Sequence, residues 1–235
     1  MSSDAGQQLG HEAARRLAEI GTVEIGPPLT DDEIAQVQNT FGFEFADDHR
    51  AFLTAGLPLG DRWPNWRYGA LGQLRQMLSW PRGGVLFDVE HNSFWDRRWG
   101  ARPADDCAAL AVAGERLAAA PQMVPVYGHR YLPAGRSTYG HPVLSMHQTD
   151  VICYGVDLAD YISREFGQRR PIAWTDPRGR PRPTVVFLVG PDHLARQGIW
   201  ACASVDQLRT GAQVNNTSRA SSRRLSAITP RKASR

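Results

Sequence analysis

Three side chains in the middle of the chain, His129, His147 and Asp150, are of the types that catalysis or metal binding requires. Brought together, two imidazoles and a carboxylate could hold a divalent ion. They could equally run acid–base hydrolysis, with His147 as base, Asp150 as its orienter and His129 as the third group. Their spacing matches no zinc motif, and each has a plainer use. A histidine at a strand end forms hydrogen bonds, and an aspartate in a turn accepts from backbone N–H groups. No catalytic residue, metal or cofactor is therefore assigned, and the hydrolase stands as the alternative reading. A second polar group lies in FDVEHNSFWDRRWG. If Val85 to Val89 is a strand, Asp88 and Glu90 share one face, as paired carboxylates can. Ion pairs with Arg97, Arg98 or Arg102 are the simpler use of the two acids.

The aromatic residues point to contact rather than to chemistry. Trp63, Trp66, Trp80, Trp95 and Trp99 fall within one short stretch interleaved with arginines. Trp, Tyr and Arg dominate binding hot spots because they bring large contact area to few positions. The expected partner-binding anchors are Trp63, Trp66, Trp95, Arg97, Arg98, Trp99, His129 and Arg130. The same tryptophans could instead form a core belt with arginines stacked on its edges. No G-x-x-x-x-G-K-[ST], G-x-G-x-x-G or G-x-S-x-G occurs, so phosphate-loop, dinucleotide and hydrolase-elbow readings lack their physical basis.

The elements that must position these residues centre on MVPVYGHRYLPAGRSTYGHPVLSMHQTDVICYGVDLADYISREFG. It reads as strand, loop, strand, tight turn, strand and helix. Val124, Val126 and Tyr127 are extended, the Pro- and Gly-rich loop runs from residue 128 to 142, and the second strand begins at Val143. Residues 147–150 form a turn or bulge before the apolar run from Val151 to Tyr154. Asp157 can cap a helix whose Leu158, Tyr161, Ile162 and Phe166 recur at helical spacing, with Gly167 as its stop. Earlier, residues 9–20 suggest a short amphipathic helix. Thr30 and Glu33 form a capping box for a helix carrying Ile34, Val37 and Phe41 and closed by Gly42. A further helix is expected from Asp47 or Asp48 to Gly56. Another carries Leu71, Leu74 and Leu78 and ends before Pro81. Residues 105–120 form a last one.

The 235 residues carry 27 basic and 24 acidic side chains. Seven of the basic ones lie beyond residue 206 with no acid among them, leaving 20 basic against 24 acidic in the body. The basicity belongs to the tail, so nucleic acid is not expected as a partner apart from that tail. No apolar run approaches the ~20 residues of a membrane helix, and no secretory h-region is present, so no membrane association and a cytoplasmic location are expected. Three separated cysteines fit a reducing compartment. Four regions are expected: an N-terminal extension over residues 1–25, an α+β domain over 26–168, an Arg/Pro-rich connector with an ambiguous segment over 169–206, and a disordered basic tail over 207–235.

Three stretches, LTDDEIAQVQNTFGFEFADDHRAFLTAGLP, MVPVYGHRY and VICYGVDLADYISREFG, together resemble the SUKH superfamily of cell-wall synthesis regulators and toxin-immunity proteins. The resemblance runs from Leu29 to Gly167. It departs in the aromatic insertion between Trp63 and Trp99 and in everything after Gly167. It implies an N-terminal helical part and a curved, mainly antiparallel sheet with helices packed at one face. It also implies a protein-interaction module that binds a toxin domain or another cytoplasmic protein, with no shared catalytic residues to carry over.

Overall fold

The computed structural model describes residues 4–167, so the expected connector and basic tail lie outside the described residues. The order is α1 (Asp4–Ile20), β1 (Ile25–Gly26), α2 (Asp31–Phe41), α3 (Asp47–Ala55), β2 (Leu57–Pro58), α4 (Leu71–His91), a 3-10 turn (Arg97–Trp99), α5 (Asp106–Ala118), β3 (Met123–Tyr127), β4 (Arg130–Pro133), β5 (Val143–His147), β6 (Asp150–Gly155) and α6 (Leu158–Glu165). The fold is α+β. Strands β3 to β6 form an antiparallel sheet in sequential order, and β1 pairs with β2 in a separate two-stranded ribbon.

Local chemistry explains most boundaries. Thr30 accepts from the Glu33 N–H while the Glu33 carboxylate accepts from the Thr30 N–H, so two free donors at the start of α2 are satisfied. Gly42 ends that helix at φ 72°, a left-handed conformation that costs glycine nothing. Asp105 and Asp157 cap α5 and α6 through the N–H groups of Ala108 and Asp160. The two-residue turn after β5 closes on the pair His147–Asp150, with Gln148 at φ 55°.

Alternation along the strands splits the core in two. Val124, Val126, Leu132 and Val143 pack with α1, α2, α3, α6 and the first half of α4 (Leu74, Leu78), whereas Met123, Tyr131, Leu144, Met146 and Val151 pack with the second half of α4 and with α5. Helices thus cover both faces of the sheet, not one. The N-terminal helix is likewise no loose extension. Ala13 and Leu17 are fully buried in the first cluster. Gly10 lets α1 meet α3 so closely that a Cβ there would sit 2.2 Å from the Asp48 carbonyl oxygen.

Individual elements depart from expectation as well. Residues 130–133, expected as loop, form β4. More tellingly, the helix expected to stop before Pro81 and the strand expected from Val85 to Val89 are one 21-residue helix, α4. Proline breaks helices partly because it cannot donate to the carbonyl four residues back. That carbonyl belongs to Met77, and the buried Tyr131 hydroxyl of β4 donates to it at 3.0 Å. Beside it, Gln122 Nε2 donates to the Leu78 carbonyl at 3.1 Å. The group orphaned by Pro81 is satisfied from outside the helix, and the helix continues.

Candidate functional site

The polar residues expected to converge lie around two adjacent hairpin ends. His129 occupies the β3–β4 turn, half-buried, and its carbonyl accepts the Met146 N–H at 2.9 Å. Burial and then the charges of Arg130, Arg62 and His147 hold the His129 imidazole below its ordinary pKa. It is therefore neutral near pH 7. His147 and Asp150 face each other across the β5–β6 turn, both exposed. The fold brings the two histidines near one another. Among the described residues no three His, Cys, Asp or Glu side chains are grouped so as to hold a metal ion.

Asp88 carries the chemistry of this corner, in a role its expected strand position concealed. On a helix, Asp88 and Glu90 are about 200° apart, so they do not share a face: Asp88 is buried and Glu90 exposed. Asp88 Oδ2 accepts the backbone N–H and the hydroxyl of Thr149 at 2.9 and 2.6 Å, and Oδ1 accepts Asn92 Nδ2 at 2.6 Å. Burial alone would raise its pKa; these hydrogen bonds, with His147 nearby, hold it below the ordinary value instead. One turn earlier Gly84 lies under the hairpin, where a Cβ would come 2.9 Å from Gln148 Cα. Asp88 and Gly84 therefore fasten the β5–β6 turn to α4, and Asp88 is not half of an acid–base pair.

Most of the expected binding anchors turn out to be internal. Trp63, Trp66 and Trp99 keep only 7%, 5% and 8% of their surface exposed. Trp63 stacks on Phe166 at 5.4 Å, Trp66 meets Phe45 edge-on at 5.5 Å, and Trp99 meets Trp95 at 5.3 Å. Their size makes them core filling for a chain with helices on both sheet faces. Arg130 is buried as well. Its Nη1 donates to Ser145 Oγ at 2.9 Å, its Nε lies 3.5 Å from Glu165 Oε2, and its guanidinium covers the Tyr154 ring at 3.8 Å. It ties β4, β5, β6 and α6 together and cannot anchor a partner. Of the remaining anchors, Trp95 is half-buried with its indole N–H on the Gly100 carbonyl, Arg98 pairs with Asp96, and Arg97 is exposed.

From sequence, Trp80 counts among the five tryptophans that point to contact but not among the anchors, and Phe87 and Tyr68 are passed over; all three face solvent. Trp80 and Phe87 each expose 46% of their surface, and Tyr68 and Leu71 expose more. Trp80 and Phe87 are seven residues apart, about two turns, and so lie on one side of α4. The signal was hidden because Phe87 read as part of a strand and Pro81 as a helix stop. A cavity of about 310 Å³ lies apart from all these residues, between α1, α3 and the β1–β2 ribbon, with His11, Ala14, Phe52 and Pro58 among its walls.

No helix among the described residues is long and apolar enough to cross a membrane. Compared with protein-family models, with curated proteins and with solved structures, the chain finds no match in any of the three.

Proposed function

We infer that this protein is a cytoplasmic protein-interaction module of the SUKH kind, acting by covering a complementary surface on a partner such as a toxin domain. The observation that carries this reading is the outer side of α4. Trp80 and Phe87 stand half-exposed there, on a chain that buries three other tryptophans. Paired exposed aromatics of this kind mark contact surfaces, because each supplies a large apolar area once covered. Trp95, Arg97 and Arg98 follow α4 directly: the Phe94 N–H donates to the Asp88 carbonyl at 3.0 Å. Arg97 and Arg98 are exposed and carry the kind of charge that an interface rim tolerates.

The test is co-expression with the product of the neighbouring reading frame, and affinity capture from the native host. Wild type is expected to retain a stoichiometric protein partner. Trp80→Ala/Phe87→Ala is expected to lose it at least about tenfold, as hot-spot truncation does, with an unchanged fold by circular dichroism. Recovery of no partner by the wild-type protein would sink this reading.

A further inference from the structure

Charge is divided unevenly along the described chain. Residues 4–58, which form α1, β1, α2, α3 and β2, hold ten acidic and three basic side chains, whereas residues 59–167 hold eleven of each. The three bases are already matched within their segment: Arg15 pairs with Glu12 and Glu19, Arg16 with Glu12, and Arg50 with Asp31. Arg67 and Arg136 reach in from outside to Glu33 and Glu44. Counting those two cations still leaves five more acids than bases, and Asp4, Glu24 and Asp32 stand exposed among them. A groove follows the seam of α1 and α3 inside this acidic segment. One end is the apolar cavity of about 310 Å³, walled by Ala14, Leu17, Ile25, Phe52 and Pro58, with Arg15 also lining it and offset by its two glutamates. The other end is a polar recess of about 270 Å³ whose walls include Gln7, Asp31, Asp47, Arg50 and Thr54. His11 lines both, so the two ends adjoin.

Resting on the reading of this protein as an interaction module, we propose that this groove receives a basic segment of the protein partner, with an apolar side chain in the cavity and a Lys or Arg two positions away in the recess. The cavity is at the small end of ligand pockets, a size that suits one apolar side chain better than a cofactor. The sign of the second group follows from charge. Every residue lining the two ends belongs to the segment that carries the acid excess. Its field draws in a cation and repels a carboxylate. In the recess Arg50 is taken up by Asp31 at 2.8 Å, which leaves the Asp47 carboxylate as the further charge in the wall. The spacing follows from the helix. Gln7 in the recess and Ala14 in the cavity are seven residues apart on α1, roughly 10 Å. Side chains two positions apart on an extended segment leave the same side about 7 Å apart, and a long basic side chain spans the rest. The groove thus adds a charge requirement to the interaction reading: the partner is basic where it meets α1 and α3.

The deciding measurement is a titration of the isotope-labelled full chain with the peptide acetyl-Gly-Leu-Ser-Arg-Gly-amide, up to about 5 mM, followed by amide NMR shifts. Shifts are expected at Gln7, His11, Ala14 and Thr54, with a Kd in the millimolar range. Replacing the peptide's Leu by Ala, or its Arg by Glu, is expected to weaken binding at least about tenfold. Gln7 is exposed, so its substitution leaves the core intact. Gln7→Lys should weaken binding about three- to fivefold and Gln7→Glu should strengthen it by as much, both effects fading as salt rises from about 50 mM to about 500 mM. Absence of shifts at these residues, or binding indifferent to the sign of the peptide's charge, overturns the proposal. Shifts that follow salt alone, without response to peptide, would assign the groove to the chain's own basic residues beyond 167 and overturn it too. Peptide binding by a protein that captures no partner would sink the interaction reading and leave the groove standing. A captured partner without peptide binding would remove the groove alone.

Discussion

Two adjacent residues at the start of α3 pull the stability of this protein in opposite directions as the pH falls. His49 is buried, and desolvation lowers its pKa to about 3. Asp48 is buried too, and its pKa is raised to about 6, by desolvation first and with the nearby Asp157 charge adding to it. Hydrogen bonds from the Gly140 and His49 N–H groups work in the opposite direction. For His49, the unfolded chain binds a proton below about 6.5 while the folded chain does not, so stability falls as pH drops from there toward 3. For Asp48, the folded chain binds the proton first, so stability rises as pH drops from about 6 toward the ordinary carboxylate value. Between roughly pH 6 and pH 4 the two effects oppose each other, each at up to about 1.4 kcal/mol per pH unit. Asp48→Asn keeps an acceptor for the Gly140 N–H but cannot titrate. Urea midpoints of that variant should fall more steeply than those of wild type as pH drops from 6 to 4. Parallel profiles would show that Asp48 is not coupled to folding in this way.

At the scale of the element, α4 and its two outside supports give the sharpest contrasts. Tyr131→Phe removes only the hydroxyl that satisfies the Met77 carbonyl. The expected cost is about 1–3 kcal/mol by chemical denaturation, the penalty for a buried polar group left unpaired. With Pro81→Ala already in place the carbonyl regains its N–H donor, and the same change should cost less than half as much. Equal costs in the two backgrounds would remove the explanation given for the uninterrupted helix. The neighbouring glycines part in the same way. Gly83→Ala faces open space and should stabilise by about 0.5–1 kcal/mol through helix propensity. Gly84→Ala drives a methyl into the Gln148 backbone and should destabilise by about 1–3 kcal/mol. Opposite signs from adjacent glycines in one helix would confirm how the β5–β6 turn is seated.

For the molecule as a whole, the N-terminal helix is the part whose weight was least visible in advance. Ala13 and Leu17 are fully buried, and Arg16 Nη1 donates to the Ala159 carbonyl of α6 at 3.2 Å. Removing residues 1–20 exposes Phe52 and the inner side of α6. Burying a large apolar side chain is worth about 1.5–3 kcal/mol, and a domain of this size is stabilised by only about 5–15 kcal/mol in total. The truncated chain is therefore expected to lose its cooperative thermal transition. A sharp transition within a few degrees of the intact protein would show α1 to be an appendage after all.

What the sequence settled by itself are features decided within a few residues: the capping box at Thr30, the stop at Gly42, the Asp157 cap and the apolar spacing of α6. Each depends on backbone donors and side chains that meet through the local chain, so type and spacing suffice to read them. The site was less legible. His129 and His147 do come near each other, but Trp63, Trp66, Trp99 and Arg130 moved from the expected surface to the interior. A tryptophan's composition and neighbours say that it will contact something, not whether that something is its own chain. Only the tertiary structure decided this, and only it decided that Pro81 would not end a helix. The hydroxyl that replaces the missing hydrogen bond comes from a strand fifty residues onward, and no local pattern contains it.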